Sequence, residues 1–341
     1  MNNICLFACA LNEEKYISEW CYYHLKIGID KIFISDTSNN NSLKNHRINN
    51  DPRIIILHRP NGPNNKFDQI KLINEHFNRE KNNFKWCAQM DCDEFIVLKK
   101  HRNIKEFLNS INLHSGCLGI NWVFFGSNNK QKYEHLPVLN RFTKCDKTYD
   151  KHVKCISVMK DVKNHNNMHF PILNNGKQIN EKGKVYQSGP FQYDSSTDLI
   201  QINHYVLKSR EEFQQRYNVL SGRKKPDFFD CHNRNDKRDL TALLIKSSAY
   251  DNVNMQELDW EFYINYYNDL LLDGVINKKL AVEHFNNNGK KEKRKTNLNF
   301  NAKKYREHYP DLIKNGCNTD LKCWNHWKSS IFTNDRKFFY K

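Results

Sequence analysis

The chain has 341 residues, of which 38% are hydrophobic and 27% charged; at 40.8 kDa it is longer than one ordinary domain and suits a large domain plus a smaller one. Mean hydropathy is −0.84, yet 21 Phe, 16 Tyr and 6 Trp supply apolar area that a disordered chain lacks, which excludes disorder as the main state. The formal charge of +16 invites a nucleic-acid partner, but no segment concentrates Lys and Arg among aromatics as a stacking groove requires.

No apolar run approaches the roughly 20 residues needed to span a bilayer, so the sequence predicts a soluble protein without a transmembrane segment. The stretch Met1 to Glu13 has neither a basic region nor a long apolar core, and the 11 cysteines form no C-x-x-C pair or zinc-finger spacing. Reduced thiols and a cytoplasmic location are expected. The 48 Asn residues, many beside Lys, read as coding bias, and their runs as loops.

Taken in chain order, apolar Ile4 to Leu11 predicts a strand, and Glu13 to Ile27 predicts a helix on which Tyr16, Ile17, Trp20, Tyr23, His24 and Ile27 recur at spacings of three and four. Gly28 stops it. Strands follow at Lys31 to Ser35, Arg53 to Leu57 and Trp86 to Met90, with a helix from Lys66 to Phe77 between the last two. This alternation argues for a mostly parallel sheet covered by helices, with chemistry at the carboxyl ends of its strands, after Leu11, Ser35 and Met90. Further on, helices are expected at Ile104 to Ile111, Ser209 to Leu220 and Leu240 to Ala249. Strands are expected at Leu118 to Phe125, Val138 to Thr143, Val153 to Val158 and Ile200 to Tyr205.

Beyond about residue 258 the sequence repeats itself every 42 residues: Tyr263 with Tyr305, Tyr267 with Tyr309, Asp269 with Asp311, Leu270 with Leu312, Gly274 with Gly316, His284 with His326. The period predicts two stacked helix-turn-helix units over 258–341, in which the repeated histidines are structural.

The sharpest local signal is Trp86-Cys-Ala-Gln-Met-Asp-Cys-Asp-Glu-Phe, where an apolar strand runs into Asp91, Asp93 and Glu94. A two-residue period would put Asp91 and Asp93 on one face, half a site for a hard divalent cation such as Mn²⁺ or Mg²⁺. A solvated acidic loop is the alternative.

Five segments in order resemble the glycosyltransferases of the GT-A fold, and most closely the group around glycosyltransferase family 92 and its family 2-like relatives. They are Ala10-Leu-Asn-Glu-Glu with Glu19-Trp20, Tyr23-His24 and Gly28-Ile-Asp30; Ile34-Ser-Asp-Thr-Ser; Asp91-Cys-Asp-Glu-Phe; Trp122-Val-Phe-Phe-Gly-Ser; and Ile202-Asn-His-Tyr with Lys208-Ser209 and Glu212-Phe213. The resemblance covers about residues 1 to 250. It implies an α/β, three-layer nucleotide-diphospho-sugar transferase domain over 1–250, ahead of the small helical repeat module. It also implies a metal-dependent, inverting glycosyltransferase, hexosyltransferase-like, moving a sugar from a nucleotide-sugar donor such as a UDP-sugar to a glycan or glycoconjugate acceptor.

Carried over residue by residue, Asp91 and Asp93 would serve the metal, with Asp91 also near the donor ribose, and His204 would be a late metal or diphosphate ligand. Asn12, Asp36, Lys66 and Gln69 would face the donor. Trp122 would stack on the acceptor sugar or else pack in the core. The general base is open between Glu134 and Asp194, because Asn140 stands where some relatives carry an acid before the pair Arg141-Phe142. Two readings compete with this one, a nucleic-acid-binding protein and a catalytically inactive carbohydrate-binding protein of the same fold.

Overall fold

The computed structural model describes residues 3–60, 68–219 and 227–247, and further on 263, 270, 278–289, 292, 306, 307 and 312. The chain divides into two compact units, one of residues 1–134 and 138–242 and one of residues 135–137 and 243–341.

The first unit begins with β1 (Ile4–Ala10), α1 (Ile17–Lys26), β2 (Lys31–Asp36), β3 (Ile54–His58), α2 (Gln69–Glu80) and β4 (Trp86–Gln89). There follow β5 (Glu94–Leu98), α3 (Ile104–Ser110), β6 (Cys117–Phe124), α4 (Val138–Arg141), β7 (Lys144–Cys145), β8 (Asp150–Val158), β9 (Val162–Asn164), β10 (Ile172–Leu173) and β11 (Gln178–Ile179). The chain continues through β12 (Ile200–His204), α5 (Arg210–Val219), α6 (Phe228–His232), β13 (Lys237–Arg238) and α7 (Thr241–Ser247). The main sheet runs β3-β2-β1-β4-β8-β6-β12-β5, with β11 alongside β6. Its first four strands are mutually parallel. In the second half β8 runs against both β4 and β6, β12 runs with β6, and β5 runs against β12.

The chain steps from β1 through α1 to β2 in one direction and from β3 through α2 to β4 in the other. Right-handed crossovers then place the two helices on opposite faces of the sheet, giving three layers. On the α2 face, Ile73 and Phe77 pack into buried Cys5, Phe7, Phe33 and Cys87. On α1, three residues of the sequence motif turn out to be anchors. Trp20 Nε1 donates to the Glu94 carbonyl at 2.7 Å and the Tyr23 hydroxyl to the Ile96 carbonyl at 2.9 Å, while His24 Nε2 accepts the Ile96 N–H at 3.3 Å. Burial holds the His24 pKa down at about 3, so the ring stays neutral in that role. Gly28 ends the helix with φ of 104°, a conformation open to glycine, and a Cβ there would meet Asn103 at 2.5 Å.

Several expectations shift. The segment from Val138 to Thr143 is not a strand: Val138–Arg141 is one helical turn, because the Glu19 carboxylate accepts the Val138 and Leu139 N–H groups at 2.6 and 3.4 Å and caps it. Helix α2 starts at Gln69, where Asp68 caps it by accepting the Lys71 N–H at 3.0 Å, and Lys66 lies outside the described residues. Helix α1 starts four residues later than the periodicity suggests. The residues from Asp91 to Asp93 form a turn joining β4 to β5, closed by the Glu94 N–H on the Asp91 carbonyl at 3.0 Å, so strand alternation does not operate there.

In the second unit, the hydroxyl of buried Tyr263 lies 3.0 Å from His284 Nδ1, at the end of a helix over Lys278–His284. That bond fits the structural reading of His284. Leu270 and Leu312, one repeat apart, are both helical and buried. The partner positions Tyr305, Asp311 and His326 lie outside the described residues. Among the described residues no helix is long and apolar enough to cross a membrane, and nine described cysteines are free thiols.

Candidate functional site

Strand order reverses between β1 and β4, and at such a point the loops leaving the two carboxyl ends diverge and leave a crevice. A cavity of about 430 Å³ lies there. Its walls include Cys9 near the end of β1, Leu11, Asn12, Glu13, Glu14, Lys15 and Tyr16 after β1, Asp91 and Cys92 after β4, Gln69 at the start of α2, Lys208 just before α5, and Glu212 and Arg216 on it. Asn12 takes φ of 55°, which Asn tolerates, and turns the chain sharply out of β1; its N–H donates to Ser38 Oγ at 3.2 Å.

The turn after β4 sends its two aspartates to different cations. Asp91 accepts from Gln69 Nε2 through Oδ1 and from Lys154 Nζ through Oδ2, both at 2.9 Å. Lys154 stands on β8 with its side chain 1% exposed and also lies 3.6 Å from the Glu94 carboxylate. Burial alone would lower the pKa of that ammonium, but Asp91 and Glu94 outweigh it and raise it. Asp93, whose side chain is 2% exposed, is ion-paired through Oδ2 with Arg216. Its other oxygen, Oδ1, is buried without a hydrogen-bond partner among the described residues, and His204 Nε2 faces it at 3.6 Å. Burial would raise the Asp93 pKa, yet Arg216 and His204 hold it well below the ordinary carboxylate range. Two neighbouring acids go the other way: burial raises Glu94 well above its usual value against Lys154, and raises Glu13 against Lys208 and Arg216.

Asp93 and His204 are the pair that could hold a divalent cation. The orphaned Asp93 Oδ1 and the facing imidazole nitrogen suit an ion that takes its other positions from phosphate and water, as Mg²⁺ does. Among the described residues no three His, Cys, Asp or Glu are grouped to hold an ion by themselves, and Asp91 has both oxygens committed to Gln69 and Lys154.

Beside this charged centre lies an aromatic one. Trp122, near the carboxyl end of β6, is 8% exposed, and its ring sits 4.4 Å from that of His204, 5.0 Å from His152 in a stack, and 5.3 Å from His169. The Trp122 indole N–H is buried with no hydrogen-bond partner among the described residues. Phe191, 37% exposed, meets the His152 ring edge-on at 4.7 Å, and Tyr193 beside it is 68% exposed.

Asn12, Gln69 and Asp91 thus line one cavity, and Asp93, His204 and Trp122 form a chain of contacts that joins its wall at Arg216. Three other residues do not join them. Asp36 is fully buried and spends its carboxylate on its own loop, accepting from Ser38 N–H at 3.0 Å, Ser38 Oγ at 2.5 Å and Leu43 N–H at 3.1 Å. Glu134 is a surface acid whose two oxygens both accept from Lys130 Nζ at 2.7 Å. Asp194 is 79% exposed and paired with Lys184. Neither candidate base reaches the cavity, because both follow irregular chain that the sheet does not aim inward.

Sequence reasoning missed Lys154, Arg216 and Lys208 as site cations. A lysine inside the apolar run Val153 to Val158 was a usable signal, since a strand lysine whose neighbours are buried needs a buried acid. Arg216 stands one helical turn after Glu212, which lines the same cavity and is itself fixed by a bidentate bond from Arg141 at 2.7 and 2.9 Å. Ser209 and Glu212 exchange hydrogen bonds at 3.1 and 3.2 Å as a capping box, so Lys208-Ser209 and Glu212 are the residues that launch α5 toward the site.

No protein-family model matches the chain, and no curated protein matches it in sequence. Among solved structures, a glucose-1-phosphate thymidylyltransferase from Bacillus anthracis, in complex with sucrose, aligns at 11% identity over 38% of this chain and 61% of its own, with a TM-score of 0.26. A 4-diphosphocytidyl-2C-methyl-D-erythritol synthase from Anaerococcus prevotii aligns at 10% identity over 70% of this chain and 86% of its own, with a TM-score of 0.21. Alignments at those scores carry no weight for the function of this chain.

Proposed function

We propose that the chain is a glycosyltransferase that takes a sugar from a nucleotide-sugar donor, a UDP-sugar in the first instance, and passes it to a carbohydrate hydroxyl with inversion. One observation carries the reading: the cavity at the β1/β4 reversal sets amides, Asn12 and Gln69 among them, and the carboxylates of Glu13, Glu14, Asp91 and Glu212 beside three cationic side chains, Lys15, Lys208 and Arg216, at the place where an α/β sheet receives nucleotides. In this reading Asn12 and Gln69 contact the nucleoside side of the donor. Lys208 and Arg216 face the diphosphate, whose negative charge grows as the sugar–oxygen bond breaks. Asp93 and His204 would hold a Mg²⁺ or Mn²⁺, which when bound supplies further positive charge to the leaving diphosphate. Asp91, tied to Lys154 and Gln69, orients the turn that carries Asp93.

The test is a panel of UDP-glucose, UDP-galactose, UDP-N-acetylglucosamine and GDP-mannose, each with Mn²⁺ or with chelator, read by nucleotide release and thermal shift. Stabilisation and nucleotide release with at least one donor are expected. A chain that neither binds nor consumes any of them is not this enzyme. A salt-sensitive shift of labelled RNA or DNA in the same preparation would favour a nucleic-acid role instead.

A further inference from the structure

Transfer to a hydroxyl requires a base for its proton, and Glu134 and Asp194 do not reach the cavity. An imidazole joined to His204 through the Trp122 ring is arranged for that task. Strand β8 pairs with β6 in register from Cys117↔Ser157 to Asn121↔Val153 and then skips, so that Trp122 opposes Asp150 and residues 151 and 152 form a bulge. Bulges at strand ends re-aim side chains. This one is pinned by the buried Asn121 amide, which donates to the carbonyls of Asp150 at 3.0 Å, Lys151 at 3.3 Å and Gln192 at 3.0 Å. It lays the His152 ring flat on Trp122 at 5.0 Å.

Within the bulge His152 Nδ1 lies 2.6 Å from Asp150 Oδ1. A carboxylate oxygen only accepts, so Nδ1 carries the hydrogen, and Nε2 keeps its lone pair when the ring is neutral. The ring is about one-third exposed and faces the aromatic rim of Phe191 and Tyr193, flat apolar surfaces suited to stacking on a sugar face. The charged or titratable groups around it are Asp150 and Lys151 on its own strand and His169, whose ring is 5.5 Å away and whose Nδ1 donates to the Val153 carbonyl at 2.9 Å.

We propose that His152, oriented by Asp150, is the general base for the acceptor hydroxyl, and that the acceptor sugar docks on the Phe191 and Tyr193 rim. The proposal rests on the glycosyltransferase reading. In the step, the acceptor oxygen forms its bond to the anomeric carbon and its proton passes to His152 Nε2. The bond from that carbon to the diphosphate oxygen breaks, and the nucleoside diphosphate leaves with the electron pair. Asp150 stays ionised and supports the imidazolium.

The test uses the full chain with the four donors above and a set of octyl glycosides as acceptors, comparing wild type with His152→Gln, His152→Ala, Asp150→Asn, Glu134→Gln and Asp194→Asn. The expectation is a kcat for transfer lower by about 100-fold or more in both His152 variants, with UDP affinity and melting temperature near wild type. Partial rescue of His152→Ala by added imidazole, loss of the acidic limb of the pH profile, and wild-type rates for the two surface-acid variants are expected alongside it. Wild-type kcat in His152→Gln would overturn the proposal. Loss of UDP binding or of the melting transition together with activity would do the same, by giving His152 a structural part. A wild-type chain that consumes no donor fails at the glycosyltransferase reading itself, before any variant is compared, and takes this role down with it.

Discussion

The two halves of the central sheet are built and used differently. The parallel half, β3-β2-β1-β4, is assembled from neighbouring β-α-β steps and ends in a cavity of amides and charges. The mixed half, β8-β6-β12-β5, is assembled from strands up to about a hundred residues apart and ends in imidazole and indole rings. In the proposed reading the first receives the donor and the second the acceptor. Lys154 is one place where they meet, since it belongs to β8 and neutralises Asp91 after β4.

That junction is where a single change should do most damage. Lys154→Met leaves Asp91 beside buried Glu94 without their shared cation, and breaking a buried pair by removing one partner costs roughly 3–5 kcal/mol. Denaturant unfolding should show a loss of that size. A loss under about 1 kcal/mol would mean that the two halves are not coupled through this residue.

Acid should act on a second buried pair, Arg141 with Glu212, whose side chains are 0% and 3% exposed. Burial opposes ionisation of Glu212, but the Arg141 guanidinium prevails and lowers its pKa from 4.5 to about 2. A group depressed in the folded state contributes stability above its unfolded pKa and loses it as pH falls through the folded one. Roughly 3 kcal/mol should therefore disappear between about pH 4.5 and pH 2. Stability measured against pH should be flatter over that window in Glu212→Gln. An equal slope in both proteins would assign the acid response to other carboxylates.

The next expected effect separates the two aspartates, which the sequence treats as equivalent. Asp93→Asn removes the carboxylate that faces both Arg216 and His204, and transfer should fall by about 100-fold, or roughly 2.7 kcal/mol in the barrier. Removing metal with a chelator should lower wild-type transfer by a similar factor and add little to Asp93→Asn. Additive losses would separate the role of Asp93 from the ion.

The parallel half was legible because its information is local. Strand and helix periods, Gly28 and the order of the first six elements are written in adjacent residues. In the mixed half β6, β8 and β12 are legible as strands too, but the pairing of β8 with β4 and β6, and the skip in register that turns His152 onto Trp122, depend on contacts with no local signature. The same limit explains the aspartates. The motif Asp91-Cys92-Asp93 marks the turn after β4, but which cation each carboxylate meets is decided by Lys154 and Arg216, 63 and 123 residues further on. Glu134 and Asp194 stand out in the sequence as acids after Gly126 and before His204, and neither type nor position reveals that each is paired with a nearby lysine.

The smallest expected effect concerns Gln69, which touches the turn from the parallel half alone. Its amide donates one hydrogen bond to Asp91 Oδ1, at the first turn of α2 and at the cavity wall. In Gln69→Ala that oxygen keeps access to water through the cavity, and Lys154 still holds Oδ2, so the loss stays at the low end of the net value of one hydrogen bond to a charged group, about 1.5 kcal/mol. Folding stability should change by less than about 1 kcal/mol, because Gln69 is only partly buried and Ala favours the helix. Affinity for UDP, measured by calorimetry, should weaken by about five- to tenfold, with acceptor KM unchanged. A shift in acceptor KM without one in UDP affinity would place Gln69 on the wrong side of the division between the two halves.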